Sequence, residues 1–548
     1  MTKNYRVFLL VLFLFSLISC QKEDFPEIQT WVPYDETGIL ETSAKNESKR
    51  LQYKLIQSKI SDRNDMLDVI VSQLEGFSRE RYQELFPFIF DQSIKTLQAH
   101  ISEEMLSYKE LTQWYLYRIA YYESNPELAL NAMISINPKV VAQAEALDNT
   151  TGQEHHPIFG MPIIIKDNIN TQNMPTTAGS AALQNNQTEA DAEIVANIKS
   201  YDGLILGKAN LSEWANYLCA GCPNGYSAIG GQTLNPYGVR KFDTGGSSSG
   251  SAVAVAANYA VAAVGSETSG SILSPSSQQS VVGLKPTIGS LSQEGIVPIS
   301  STLDTPGPIT RNLDDNSILF SAMASSQSEA ASPKVPWQID TRQDLKGVRL
   351  GAFESYAEDS LYQKALKELE THGAEIITIN PEPMSFEGFS ELLSADMKVD
   401  LKQYLTSYAS QNIKVSSVFE VMKFNLKDST VRIPYGQARF EGIQALNLSE
   451  EELIALRKKI LFEGIGYFEN PMLKHDLDAL LSINNYNAGQ AAAAKYPALT
   501  VPMGYAENGK PKGLTFITKP YLEMEIYSFA KFYEALSQLR QPPANYSK

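Results

Sequence analysis

Thr244-Gly245-Gly246-Ser247-Ser248-Ser249-Gly250-Ser251 runs directly into Ala252-Val253-Ala254-Val255-Ala256-Ala257, and on this stretch the fold is decided. A Gly/Ser run in isolation fits a flexible linker. A linker would not lead straight into a helix of small side chains, which is a design for close packing. The better reading is a tight loop at a helix N-terminus, with backbone N–H groups and hydroxyls turned into one cavity. Just beyond it, Ala260 to Val264 is a short apolar run of buried-strand character. Gly265-Ser266-Glu267-Thr268-Ser269-Gly270-Ser271-Ile272 then follows as a turn at the strand's end. Such a turn lets Ser271 project while neighbouring amides converge, an arrangement that can hold an oxyanion. A plain turn has the same composition.

Working outward, further short apolar runs bounded by Gly, Pro and Asn recur at Pro162 to Ile165 and Gly203 to Leu206, with a helical stretch, Ala190 to Ser200, between them. After Pro333-Lys334-Val335-Pro336 the theme restarts with Val348 to Gly351, a helix from Leu361 to Glu370 and a strand from Ala374 to Ile379. Tyr496 to Phe516 returns to strand character at the end. Strands alternating with helices require an α/β layered fold. Ahead of this pattern, 20–106 reads as a tether and a helical layer, in which segments such as Arg79 to Ile94 lack β-alternation. Ser107-Tyr108-Lys109-Glu110 fits a capping box, and the helix it opens should lean on the core through Leu111, Tyr115, Ile119 and Tyr122. Residues 385–467 are helical and irregular, an insertion over one end of the sheet within a main domain of 107–548.

The strand Gly160-Met161-Pro162-Ile163-Ile164-Ile165-Lys166-Asp167-Asn168 is chemically unusual, because an ammonium follows three β-branched residues. Buried lysine is rare unless paired. Either Lys166 snorkels out or pairs with Asp167, or desolvation lowers its pKa until it accepts a proton as a general base. Cys219 and Cys222 are spaced for a disulfide, a redox pair or half a metal site. No second cysteine pair and no nearby histidine cluster completes a zinc ligand set.

Five blocks, Gly160 to Asn168, Thr244 to Ser251, Gly265 to Ile272, Val282-Gly283-Leu284-Lys285-Pro286-Thr287 and Asp304-Thr305-Pro306-Gly307-Pro308, resemble in order and spacing the amidase signature family. The likeness extends from about Ser107 through Asn210-Leu211-Ser212-Glu213-Trp214 to the closing strands. It implies one α/β/α three-layer domain with a mixed central sheet, and an amidohydrolase that cleaves a linear carboxamide C–N bond. It also implies a triad of Ser271 as nucleophile, Ser247 after a cis peptide bond as proton bridge, and Lys166 as base. The resemblance places oxyanion donors on the backbone N–H groups of Thr268, Ser269, Gly270 and Ser271, and a supporting role for the lysine on Ser248. It implies no metal and no organic cofactor. The family's usual Asp-x-Gly-Gly-Ser-Ile-Arg stands here as Glu267-Thr268-Ser269-Gly270-Ser271-Ile272-Leu273. The missing arginine argues against small acidic substrates. The glutamate variant and the upstream Gly230-Gly231-Gln232-Thr233-Leu234-Asn235-Pro236 look most like the peptide amidase branch. Peptide C-terminal amides are therefore the first substrate class, with an apolar acyl side expected from Leu273 and the loop Trp214 to Leu218. N-acyl lipid amides come second.

The 548 residues, 43% hydrophobic and 20% charged, describe a globular chain with a large core. A formal charge of −16 repels phosphate backbones and argues against a nucleic-acid partner. Lys3 and Arg6 precede an apolar run, Val7 to Ile18, too short to span a bilayer. Leu17-Ile18-Ser19-Cys20 resembles a bacterial lipobox, which implies a signal peptide over 1–19, lipidation of Cys20 and an exported, membrane-tethered protein. An ordinary signal peptide with a chance cysteine has the same leader.

Three other functions were open. Gly246-Ser247-Ser248-Ser249-Gly250 also satisfies the nucleophile elbow G-x-S-x-G centred on Ser248, but that motif needs a preceding strand and a downstream histidine. Gly238 to Asp243 is polar and turn-like, and only His372 and His475 lie downstream, one at a helix end and one in a polar stretch. A peptide- or lipid-binding lipoprotein on an inactive scaffold is at odds with the intact Lys166, Ser247 and Ser271. An amidotransferase subunit serving tRNA is at odds with the export signal and the acidic surface.

Overall fold

The structure is a computed structural model that describes residues 28–150, 155–324 and 336–548. The signal peptide, Cys20, the first residues of the tether and most of the Pro333 to Pro336 turn lie outside the described residues.

Eleven strands form one twisted mixed sheet. Their order is Met133–Ile136, Leu204–Ala209, Pro162–Lys166, Ala262–Glu267, Thr305–Thr310, Val282–Lys285, Ala498–Tyr505, Pro511–Ile517, Ala479–Ile483, Arg349–Phe353 and Glu375–Ile379. Pro162–Lys166 runs parallel to both its neighbours, and Thr305–Thr310 runs antiparallel to Ala262–Glu267. Helices cover both faces, so the strands inside the two edges are mostly apolar and buried, as a sheet covered on both sides requires. This is the three-layer α/β/α fold.

Ser107 opens its helix as its sequence dictates. Its Oγ accepts from the Glu110 N–H at 3.1 Å, and Glu110 Oε2 accepts from the Ser107 N–H at 3.1 Å. The helix Tyr108–Glu123 does not merely lean on the core through one stripe, however. It is buried nearly all round, because the helical layer covers its outer side: Tyr82 stacks on Trp114 with ring centroids 5.0 Å apart. Arg118, fully buried, bonds the Ala257 carbonyl, the Tyr82 hydroxyl and the C-terminal Tyr546 carbonyl. The stretch Arg79 to Ile94 opens with the helix Arg79–Ile89. Asp91 then turns with φ 59°, and Ser93 caps a new helix, Ile94–Ser102.

Over one edge of the sheet stand the helices Phe389–Ser407, Val418–Leu426, Ser429–Arg432, Ala438–Ala445 and Glu450–His475. They share their own apolar core, in which Leu392, Met397, Val421, Phe440 and Ile460 pack with Trp214, Tyr217 and Leu218 of the main domain. The carboxyl ends of Pro162–Lys166 and Ala262–Glu267 lie beneath this cover, where open α/β sheets present their sites.

Candidate active site

Lys166 is the last residue of its strand and is fully buried. Its Nζ lies 2.8 Å from Ser247 Oγ, 2.8 Å from Ser266 Oγ and 2.9 Å from the Ser266 carbonyl oxygen. The alternative pairing with Asp167 does not occur. Side chains alternate across a strand, and Asp167 sits 3.3 Å from the buried Lys208 Nζ while accepting from the Thr177 N–H at 3.1 Å and from the Thr177 hydroxyl. Lys166 makes no ion pair with any described residue. Burial pushes its pKa down to about 7, and the more distant carboxylates of Asp304 and Glu267 only partly oppose this.

The Gly246–Ser247 peptide bond is cis. Glycine is required on either side of this turn. Gly245 holds φ +68°, and a Cβ there would lie 2.7 Å from the Pro275 backbone. At Gly250 a Cβ would lie 2.4 Å from the Asn210 carbonyl oxygen. The helix Ser249–Ala256 starts at once, as the small-residue run implies.

Ser248 makes no hydrogen bond to Lys166. Its Oγ donates to the Ser266 carbonyl at 3.1 Å and accepts from the Ser266 N–H at 3.2 Å, so it holds in place the residue that holds the lysine. The Ser248 N–H donates to the Ser271 carbonyl at 3.0 Å, which joins the two serine loops.

Ser266 is the residue that the sequence reading missed. Its segment was read as a turn from Gly265 onward, whereas the strand continues through Glu267, with Ser266 opposite Pro306. In the parallel register Ile165 pairs with Val264, which brings Lys166 level with the strand's last residues. Asn168 completes the cluster, its Nδ2 donating to Ser266 Oγ at 3.0 Å.

Glu267 turns inward and closes the Ser271 loop, because its Oε2 accepts from the Ile272 N–H at 2.6 Å and the Leu273 N–H at 2.9 Å. Gly270 takes φ +93°, and Ser271 follows at the foot of the cleft, 8% exposed. The N–H groups of Ser269, Gly270 and Ser271 are given to no acceptor among the described residues. Thr268 Oγ1 donates to Asp304 at 2.5 Å, and the other Asp304 oxygen accepts from the Ile299 and Ser300 N–H groups.

Above the loop, Asn485 and Ala488 face Gly270, and Phe386 faces Gly489. Tyr217 reaches the cover, bonding the Ser390 carbonyl at 3.1 Å and Ser394 Oγ at 3.0 Å. Cys219 and Cys222 form a disulfide in the same loop. Two expectations about the cleft change. Leu273 is buried among Phe353, Phe468 and Leu480, and Trp214 packs on Phe440, so neither side chain lines the cleft. Gly231 and Gln232 pin the N-terminal segment, the Gln232 N–H donating to the Ile56 carbonyl at 2.8 Å, and do not face Ser271.

The elbow reading fails on its geometry. The Ser248 hydroxyl is fully buried and committed to Ser266, and His372 Nδ1 bonds the Glu368 carbonyl at its own helix end.

With this geometry in view, the comparisons with known proteins agree. The family model Amidase matches residues 110–481. A protein described as a probable amidase of Arabidopsis thaliana is 34% identical over 483 residues, covering 83% of this chain and 92% of that one. The structure of an amidase family protein from Bacillus anthracis superposes with a TM-score of 0.84 at 35% identity, covering 89% of this chain and 99% of that one. The native peptide amidase of Stenotrophomonas maltophilia gives a TM-score of 0.78 at 33% identity, covering 84% and 99%. The chain belongs to the amidase family, the amidase signature enzymes. It is an amide-hydrolysing enzyme.

Proposed function

We propose that this amidase works through an acyl-enzyme on Ser271, with Ser247 as proton bridge and neutral Lys166 as base. The observation that carries the reading is the buried Lys166 amine, unpaired with any carboxylate among the described residues and 2.8 Å from Ser247 Oγ. A neutral amine has two protons and one lone pair. Donated to the Ser266 carbonyl and hydroxyl, the protons leave the lone pair facing Ser247. Ser247 then takes the proton of Ser271 as it attacks the carbonyl carbon, and passes its own to Lys166. The free N–H groups between Thr268 and Ser271 hold the oxyanion. Returned through Ser247, the proton leaves with the amine, and water opens the ester.

For substrate we propose C-terminal carboxamides of peptides. The support is the likeness to peptide amidases across most of the chain. We further propose that the enzyme is exported and tethered through a lipid on Cys20, which incorporation of an alkynyl fatty acid, lost in Cys20→Ser, would test.

A fluorophosphonate probe should label Ser271, and Ser271→Ala should lose labelling and turnover together. Lys166→Ala should keep a slow rate that recovers as pH rises, since hydroxide partly replaces the base. Turnover by Ser271→Ala would overturn the assignment. A higher kcat/KM for a long-chain N-acyl amide than for a peptide amide would overturn the substrate class alone.

A further inference from the structure

The amidase chemistry leaves a proton to account for. Acylation is neutral overall, since the proton taken from Ser271 departs on the amine. In deacylation, water forms a bond to the acyl carbon and the Ser271 ester C–O bond breaks. The product is a carboxylic acid beside a neutral lysine. A carboxylic acid is the stronger acid, so its proton passes to Lys166 and the product leaves as carboxylate. Each turnover thus ends with an ammonium on Lys166, and the next cannot begin until that proton reaches solvent.

The amine itself is fully buried and touches two hydroxyls. One, Ser247, is fully buried and leads toward Ser271, where substrate and product sit. The other, Ser266 Oγ, is also 2.8 Å from Nζ, and Ser266 is 7% exposed. Ser266 lines a cavity of about 240 Å³ whose walls include Glu294, Asp304, Asp400, Gln403 and Tyr404 and neither Ser247 nor Ser271. Glu294 and Gln403 are exposed, so this cavity opens at the surface beside the helix Phe389–Ser407. We propose that Ser266 and this cavity form the route by which Lys166 returns its proton to solvent while the substrate cleft is occupied. The inference rests on the base assignment made above.

The route is fit for a proton. The Ser266 hydroxyl accepts from Lys166 and can donate to water in the cavity or to Asn168 Oδ1 at 3.3 Å. The acidic walls attract the departing charge. Burial raises the Asp304 carboxyl to about 6, near the range in which it exchanges protons with its surroundings. Asp304 and Glu267 are the carboxylates whose charge reaches Lys166.

The test separates first turnover from later ones. Gln403→Trp plugs the cavity mouth from an exposed helix position and touches no residue of the triad. Stopped-flow with a peptide p-nitroanilide in dilute buffer should show a first turnover at the wild-type rate followed by a steady state slowed several-fold. Imidazole, small enough to carry the proton, should restore the steady state, and the plugged enzyme should gain a solvent deuterium isotope effect. Ser266→Ala should show the same imidazole-dependent gap on top of a slower first turnover, and Ser266→Thr should close it. The route is refuted if neither variant separates first turnover from steady state, or if the gap ignores imidazole. The base assignment would fail differently, with Lys166→Ala keeping the wild-type rate at neutral pH.

Discussion

Titrating Lys166 tests the mechanism at its root, because its charge state appears both in the rate and in stability. Desolvation moves its pKa from 10.5 to about 7. At about 1.4 kcal/mol per unit, burying the ammonium form costs roughly 5 kcal/mol. For the rate, the neutral amine is the active form, so kcat/KM should fall about tenfold per pH unit below 7 and level off above it. For stability, a lysine with a depressed folded pKa is protonated in both states below about pH 7 and contributes no slope there. Between about 7 and 10.5 the unfolded chain binds the proton and the folded chain does not, so stability rises with pH by about 1.4 kcal/mol per unit. Lys208 and Lys285, pushed by burial to about 8, add slopes of their own. They cancel when wild type is compared with Lys166→Met, which keeps the stem and removes the charge. Between about pH 7 and pH 9 wild type should gain about 3 kcal/mol on the methionine variant in urea unfolding. A difference that stays flat over that range would mean that Lys166 keeps its charge in the folded protein. The neutral-base mechanism would then be wrong.

Three further outcomes follow from individual contacts. Ser248→Ala removes two hydrogen bonds to Ser266 but none to Lys166, so kcat should fall about tenfold, in contrast to the loss expected for Ser271→Ala; equal loss in both would make Ser248 part of the chemistry. Glu267→Gln weakens the charged clamp on the Ile272 and Leu273 N–H groups, which should cost about 1–2 kcal/mol in thermal unfolding and lower kcat with little change in KM. Asp167→Asn leaves Lys208 buried without its carboxylate and should destabilise the fold by roughly 3–5 kcal/mol while Lys208 keeps its proton, a loss that shrinks as pH rises toward 8, because Asp167 holds the Lys208 pKa up and the variant sheds that proton first.

The parts of the site legible in the sequence were those that need an improbable residue. A lysine at the end of an apolar strand and serines set among glycines before a small-residue helix each violate the ordinary rules of burial or packing, and such violations mark function. Ser266 violates nothing. A serine at a strand end is ordinary, and its role arises from register: the parallel pairing of Ile165 with Val264 sets it beside the lysine, and pairing between strands far apart in the chain is not legible in a strand's own pattern when both its faces are apolar. The same holds for the helix Tyr108–Glu123. Its capping box was readable from four residues, but its burial on all sides depends on Tyr82 and the far C-terminus folding over it.

Substrate preference was the least legible feature, and the structure explains why. Leu273, from which an apolar acyl site was inferred, is a core residue: once Glu267 bonds the Ile272 and Leu273 N–H groups, the side chain at 273 is carried inward toward Phe353 and Phe468. Arginine or leucine at 273 therefore speaks to how the Ser271 loop is buttressed rather than to what enters the cleft. Likewise Gly230 to Gln232 holds the N-terminal segment against the domain. The residues that face the loop carrying Ser271 are Asn485 and Ala488, against Gly270, with Phe386 against Gly489 and Tyr217 tying the main domain to the cover. They come from segments that share no recurring pattern with the signature blocks. Chemistry and specificity are thus built from different material. Exchanging Phe386 and its neighbours should redirect the enzyme among amides while leaving the Lys166–Ser247–Ser266 geometry, and the pH dependence it produces, where it is.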